Sequence, residues 1–257
     1  MSPVPYNRTM SSDASLDPRR PATVLHTSDC HLEGREGGRE EPAFTAAIDL
    51  ALREDVDAFL VTGDLFDHAR VPDTLLDWTV EQLDRLPCAV VMIPGNHDVF
   101  DERSVHHRFT VSDRCAHVQF IDVHDGVLVE VPGTDIVVWG RAMPEHEPAF
   151  RPLQGVPPVP ADRWSIVAGH GLLMENDEPT FRSSPIYASD LDSIRWDYIA
   201  LGHIHRYWAV RDRPTPARYA GATANSLDGE PGVVLVDFVP GVGAQPRWVS
   251  LAEVTAR

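Results

Sequence analysis

Leu60-Val61-Thr62-Gly63-Asp64-Leu65-Phe66-Asp67 is the stretch whose reading decides the fold. The apolar run from Ala58 to Val61 reads as a buried parallel strand, and it stops at Gly63-Asp64. A carboxylate there stands at the carboxyl end of a strand, where open α/β sheets place their ligands. Alone, it is equally compatible with a turn cap. The same grammar returns four times, in Val24-Leu25-His26-Thr27-Ser28-Asp29-Cys30-His31, Val90-Val91-Met92-Ile93-Pro94-Gly95-Asn96-His97-Asp98, Ile166-Val167-Ala168-Gly169-His170 and Tyr198-Ile199-Ala200-Leu201-Gly202-His203-Ile204-His205. Each time an apolar strand ends, a small residue or two follows, and Asp, Asn or His comes next. Glycine allows the sharp turn and close backbone approach that such an ending needs. Five strand ends delivering nitrogen and oxygen donors to one sheet edge describe a metal site.

Composition narrows what such a site serves. With 257 residues and 43% hydrophobic content the chain can bury a substantial core, and nothing demands a division into domains. No apolar run approaches the ~18 to 20 residues of a membrane span. Residues 1–21 are rich in Ser, Pro and Arg and have no apolar core, so they read as a flexible leader rather than a signal peptide. Residues 22–257 then read as a single domain, and the expected location is cytoplasmic. Three cysteines, Cys30, Cys88 and Cys115, without CxxC spacing, argue against a disulfide framework and a structural zinc site. All 22 basic residues are arginine. The absence of lysine excludes Schiff-base chemistry and a Walker-type phosphate loop. The formal charge of −17 disfavours an extended nucleic-acid surface. Bound divalent cations would reverse the field inside a cleft, so phosphate cleavage remains open.

Along the chain, Ala22 to Thr27 reads as the first strand. A helix opens near Pro42 and runs to about Asp55, and a second runs from Pro72 to about Leu86 with Leu75, Leu76, Val80 and Leu83 as its apolar stripe. Cys88 to Ile93 is the third strand. Alternation of this kind argues for βαβ units with right-handed crossovers. The second half has short strands at His117–Ile121, Gly126–Val131 and Asp135–Trp139, read as a meander. Six prolines between Pro144 and Arg163 make a surface excursion. Glu175 to Trp196 is a polar loop placed to shape a substrate site. Further strands are expected at Trp208–Val210, Arg218–Ala220, Gly232–Val239 and Arg247–Leu251, giving two face-to-face sheets with helices outside.

Seven candidate ligands, Asp29, His31, Asp64, Asn96, His170, His203 and His205, exceed what one ion takes and suit two ions sharing a bridge. Mixed imidazole and carboxylate donors favour Mn, Fe, Zn or Co over Ca. Asp29 and His31, like His203 and His205, alternate along extended chain and so project the same way. Asp64 is the natural bridge, because a carboxylate offers two oxygens. Paired cations roughly 3.5 to 4 Å apart suit an in-line displacement at phosphorus, with a metal-bridging hydroxide as nucleophile. His97 is placed to protonate the leaving oxygen, and Asp98 is the expected partner of its other nitrogen.

The five stretches, extended by Tyr219-Ala220-Gly221-Ala222, resemble the ordered motifs of the calcineurin-like metallophosphoesterase superfamily. The resemblance implies an α/β fold, a four-layer αββα sandwich of two mixed β-sheets flanked by helices, with a dinuclear centre at the strand C-terminal edge. It implies one divalent ion on Asp29, His31, Asp64 and His205, a second on Asp64, Asn96, His170 and His203, and His97 on the substrate. His26-Thr27-Ser28-Asp29, Gly63 to Asp67 and Trp196 to His205 are most similar to the DNA-repair exonuclease branch. That branch carries a capping domain and helices that dock a large ATPase. Here the chain stops soon after its last core strands, which argues against that partner and for a compact phosphodiesterase.

The expected activity is therefore dinuclear, metal-dependent hydrolysis of phosphodiesters in a small phosphate ester or short nucleic acid, without a membrane role. A phosphomonoesterase on the same scaffold, or an inactive protein-binding scaffold, are the alternatives. Among other residues, His26, His117, His124 and His146 are expected to be ordinary core or surface histidines. His106 and His107 are expected at the surface, and His68 has a smaller claim on the cleft. Asp67 is expected behind the ligands rather than among them. Cys30 is not expected to ligate. Arg35, Arg141, Arg182 and Arg206 are candidate phosphate contacts with a solvated surface as the alternative. Met174 and Trp208 read as packing residues, with a leaving-group contact as the alternative. Asn225 offers no rival to the metal constellation.

Overall fold

The apolar runs Ala22–Thr27 (β1), Ala58–Thr62 (β2) and Ala89–Ile93 (β3) lie side by side as parallel strands, with Val24 opposite Ala58 and Ala58 opposite Ala89. Their uninterrupted hydrophobicity reflects burial on both faces. The computed structural model describes residues 17–224 and 229–252. Two helices cross between these strands, Glu40–Arg53 (α1) and Asp73–Asp84 (α2). Acidic Glu40 and Glu41 open α1 and Arg53 closes it, matching the helix dipole. Pro42 sits in its first turn, where a missing N–H costs nothing.

Val118–Phe120 (β4) extends the first sheet in parallel beside β3. Beyond β1 the sheet is closed by a hairpin, Gly232–Val239 (β13) and Gly243–Ser250 (β14), antiparallel to it. The second sheet has four parallel strands, Ile136–Gly140 (β6), Trp164–His170 (β7), Tyr198–Gly202 (β10) and Ala217–Tyr219 (β12). Antiparallel edges flank them, Val127–Glu130 (β5) and Trp208–Arg211 (β11), while Leu172–Leu173 (β8) and Pro185–Ile186 (β9) form a separate parallel pair. Two mixed six-stranded sheets thus stack face to face, as expected.

Side-chain alternation sorts the core into three layers. Val24, Leu60, Val91 and Ile93 meet Val138, Ile166, Ala168 and Ala200 between the sheets. Leu25, Phe59, Val61 and Val90 face out to Phe44, Ile48, Leu75 and Val80 of α1 and α2. Val167, Ile199, Leu201 and Tyr219 of the second sheet face the other way. Their cover is thin: Leu191 of the six-residue helix Ala188–Ser193 (α5), together with Leu153, Ile194 and Trp196 from irregular chain. The fourth layer is largely loop, because the prolines of 144–163 forbid a helix there.

Several details differ from the sequence reading. The segment 117–139 is no meander. β4 belongs to the first sheet and β5 to the second, and the chain crosses between them at 121–126. Two short helical turns, His106–Phe109 (α3) and Val111–Arg114 (α4), have too few residues to show a period in sequence. His106 is buried rather than at the surface, stacked on Phe120 at 4.1 Å between ring centroids. Of the expected leader, residues 1–16 lie outside the described residues. Arg19 lies over the Trp164 ring at 3.6 Å and pairs with Asp17 and Asp197, while Arg20 pairs with Asp135.

One polar bridge crosses the buried layer between the sheets. His26 on β1 contacts the Tyr198 hydroxyl through Nδ1 and the Thr62 hydroxyl through Nε2, both at 2.9 Å. Burial pushes the His26 ring down to about 3, so it is neutral. Tyr198→Phe strands one imidazole nitrogen away from water and is expected to cost about 1–3 kcal/mol. The check is urea unfolding with an unchanged m-value; an unaltered midpoint would show that the bridge contributes nothing.

Candidate metal centre

β1, β2, β3, β7 and β10 all end at the same edge, and their last residues turn in unusual backbone. Asp29, His31, Asp64 and His203 have φ of +51°, +49°, +52° and +102°. Seven described non-glycine residues have positive φ, and four of them are candidate ligands. Each such conformation costs of order 1–3 kcal/mol and persists only where the surroundings over-determine it. The restraints are visible. Asp29 N donates to the Gly63 carbonyl at 3.1 Å, His31 N to the Asp64 carbonyl at 3.0 Å, and His203 N to the Asp29 carboxylate at 3.0 and 3.1 Å. Gly63 is required at φ +92°, and a Cβ there would fall 2.2 Å from His170 Nδ1. Gly202 lets β10 approach β2, for its Cβ would sit 2.0 Å from the Thr62 carbonyl oxygen.

All seven candidate ligands converge. On one side, His31 Nε2 lies 3.1 Å from His205 Nε2, 4.0 Å from an Asp29 oxygen and 3.9 Å from Asp64 Oδ2, and His205 Nε2 lies 3.5 Å from Asp29. On the other, Asn96 Oδ1 lies 3.0 Å from His170 Nε2 and 2.7 Å from His203 Nδ1, and His170 Nε2 is 3.2 Å from Asp64 Oδ2. Asp64 therefore reaches both halves. Two groupings of the described residues, Asp29 with His31 and His205 and Asp29 with Asp64 and His170, bring one donor atom from each member within 4.8 Å of the others.

The donor set fits divalent cations. Asp29 and Asp64 are 1% exposed, and among the described residues only histidines come within ion-pairing distance of them. Burial alone would raise the Asp64 pKa, but the charge and hydrogen bond of His170 outweigh it and hold the carboxyl well below its usual range. Burial alone would lower His170, and the carboxylates of Asp64 and Asp29 reverse that, raising it to about 9. Burial and the neighbouring His170 charge push His203 down to about 3, and burial also lowers His205. Neutral imidazole is the form that binds a metal. Hydrogen bonds behind the rings orient the lone pairs: His170 Nδ1 donates to the Thr62 carbonyl at 2.8 Å, and His31 Nδ1 meets Asp67 at 3.0 Å.

His97 stands at the rim with its side chain 40% exposed. Its Nδ1 donates to the Asp67 carbonyl oxygen at 2.8 Å and lies 3.3 Å from the Asp67 carboxylate, which leaves Nε2 outward. Asp67, not Asp98, is thus its partner. Asp98 faces the other way. Its carboxylate accepts N–H bonds from Gly95, Asp64, Leu65 and Phe66, with His106 Nε2 at 3.3 Å, and so ties two ligand loops together. Sequence adjacency misled here because the tight turn after Gly95 sends neighbouring side chains apart. Sequence reading also missed His146, whose ring meets His203 edge-on at 5.5 Å from within the proline-rich excursion; no local signal marks it. Cys30 points into the core, and burial raises its thiol to about 12, so it is no ligand. Glu33, Asp67 and His68 form a further grouping beside the rim. Arg141 is committed to carbonyl oxygens of His124, Arg151 and Gln154, and Arg35 pairs with Glu33. Asn225 lies outside the described residues.

Residues 22–207 match the family model described as calcineurin-like phosphoesterase. A component of the nuclease SbcCD from Bacillus subtilis (strain 168) is 28% identical over 89% of this chain and 69% of its own length. The DNA double-strand break repair protein Mre11 of Aeropyrum pernix is 28% identical over 77% of this chain and 52% of its own. This chain therefore spans between about half and two-thirds of these relatives. The solved structure of an archaeal phosphodiesterase shares the fold, with a TM-score of 0.52 at 16% identity over 89% of this chain and 99% of that one. Among the described residues, no helix is long and apolar enough to cross a membrane.

The His170–Asp64 pair links cation binding to pH. A raised histidine pKa means that the pair's contribution to metal-free stability is complete below the ordinary value of 6.5 and is lost as pH rises through about 9. Cation affinity runs the opposite way, rising with pH and levelling above about 9. Calorimetry of Mn²⁺ binding near neutral pH, in buffers of differing ionisation enthalpy, is expected to show proton release; binding without release would contradict the assignment of His170.

Proposed function

Because the chain belongs to the calcineurin-like phosphoesterase family, we propose that it is a phosphodiesterase working through two divalent cations at the shared strand edge. Asp29, His31, Asp64 and His205 would hold one, and Asp64, Asn96, His170 and His203 the other. The observation that carries this reading is the position of Asp64, buried between both sets of donors with Oδ2 3.2 Å from His170 and 3.9 Å from His31. When bound, the cations would supply Lewis acidity toward the phosphoryl oxygens and toward attacking water.

The remaining work falls to the chain's own residues. Asp64 Oδ1 accepts the backbone N–H of His97 at 2.8 Å, so the bridging carboxylate and the rim histidine keep a set separation. Asp67 clamps both His31 and His97, and thereby couples a ligand to the proton donor. His97 Nε2, turned to solvent, hands a proton to the leaving oxygen.

Two considerations favour a diester. Relatives matched over most of the chain carry the names of a nuclease component and a DNA double-strand break repair protein. A monoester dianion also needs more positive charge than a diester monoanion, and Arg35 and Arg141 are already engaged with Glu33 and with backbone carbonyls. The chain's charge of −17 sharpens that requirement.

Turnover of bis-p-nitrophenyl phosphate with Mn²⁺ is expected to exceed that of p-nitrophenyl phosphate. Dominant monoester turnover would make the protein a phosphomonoesterase, and metal-loaded protein inert toward both would make it a scaffold. His97→Ala is expected to lower kcat by ~10²- to 10⁴-fold while keeping its metal content, measured by elemental analysis. Loss of metal in that variant would move His97 into the coordination set.

A further inference from the structure

Beside the metal edge, on the outer face of the second sheet, lies a cavity of about 420 Å³ that the phosphoryl chemistry does not use. Its walls are mostly apolar, and Leu173, Met174, Leu191 and Val210 line it together with the indole of Trp208. Trp208 is three residues beyond His205 and Met174 four beyond His170. At the reach of an extended chain they lie no more than roughly 11 and 14 Å from those ligands. We infer that this cavity is a nucleobase subsite, in which the base of a nucleoside phosphodiester stacks on Trp208 while its phosphate sits at the candidate metal centre. The inference rests on the phosphodiesterase reading for the phosphate and on independent geometry for the base.

That geometry is a prepared stacking face. Trp208 keeps 36% of its surface exposed, although it lies on a β-strand beside an apolar cluster. It is backed by the buried Tyr219 ring, nearly parallel at 15° and 5.8 Å between centroids. The Tyr219 hydroxyl donates to the Gly171 carbonyl at 2.8 Å and accepts the Leu173 N–H at 2.9 Å. The indole is therefore braced, through Tyr219, against the segment that follows His170. The Arg206 guanidinium lies 6.0 Å from the Trp208 ring centre, at the outer limit of a cation–π contact, and a base stacking on the face away from Tyr219 takes its place.

The mouth of the cavity selects what enters. Arg211, the cation among its described lining residues, is consumed internally by the Asp192 carboxylate and by the carbonyl oxygens of Leu191 and Thr215. Glu175 also lines it as an exposed acceptor, and Asp192 offers the oxygen that Arg211 leaves free. These oxygens receive N–H groups such as the amino and imino edges of a base, and the charge of Glu175, which no arginine lining the cavity offsets, disfavours a second phosphate. A flat, neutral ring bearing N–H donors satisfies both the indole face and the rim.

The test uses the full chain with Mn²⁺ and two esters sharing a leaving group, thymidine 5′-(p-nitrophenyl phosphate) and methyl p-nitrophenyl phosphate. Wild-type protein is expected to prefer the nucleoside ester. In Trp208→Ala that preference is expected to shrink roughly 5- to 150-fold, the worth of one base stack, with the loss carried by KM. Trp208→Phe, which keeps an aromatic face, retains most of the preference. An unaltered ratio, or equal losses on both esters in a variant that melts like wild type, overturns the subsite. Calorimetry with adenosine, which needs no metal, separates the two readings. Binding weakened by Trp208→Ala supports the subsite even if neither ester is hydrolysed, in which case the phosphodiesterase reading alone fails. Equal affinity in both proteins, or none in either, overturns the subsite.

Discussion

Two carboxylates with no arginine beside them among the described residues set the terms for this fold. Asp29 and Asp64 are buried where two sheets meet, and the groups facing them are imidazoles. A bare charge in that position is prohibitive without a partner. His170 neutralises part of it by taking up a proton. His203, whose ring is driven toward neutrality by burial and by His170, cannot do the same. The cluster is therefore short of positive charge, and divalent cations are the species whose charge, donor preference and size supply it. Much of the surrounding architecture can be understood as holding these groups together against their own repulsion and desolvation.

The holding is done by backbone. Four candidate ligands take left-handed conformations that ordinary side chains avoid, and hydrogen bonds between neighbouring strand ends lock them. The Thr62 carbonyl oxygen is one such junction, accepting from the Ser28 hydroxyl and from His170 Nδ1. The Asp98 carboxylate is another, collecting four amide N–H groups from the loops that carry Asp64 and Asn96. Strain of this kind is tolerated because two six-stranded sheets with three apolar layers stand behind it. The sheets supply the stability that offsets the strain at their edge.

The two faces of the sandwich differ in their cover. The first sheet is sealed by α1 and α2. The second is covered by one short helix and irregular chain, which leaves room for the cavity against Trp208. A proline-rich excursion cannot form the long helix that would close that face. The cavity thereby lies on the sheet that also supplies His170, His203 and His205.

Much of this was legible in the chain itself. Strand endings such as Thr62-Gly63-Asp64 and Leu201-Gly202-His203 announce both a buried parallel strand and the residue it delivers, since hydrophobic run, glycine and donor are all local features. The seven convergent residues follow from five such endings, and the two-sheet architecture from the further strands and the family resemblance. What stayed hidden depended on contacts between segments distant in sequence. The pairing of His97 with Asp67 rather than with adjacent Asp98, the burial of His106, the crossing of the chain between sheets after β4, and the approach of His146 to His203 carry no local pattern. Local chemistry determines which residues reach the edge, because period and turn propensity act over a few residues. Only the packed sheets decide which of them face one another, because that depends on how far apart the strands lie and which way each turn throws its side chain.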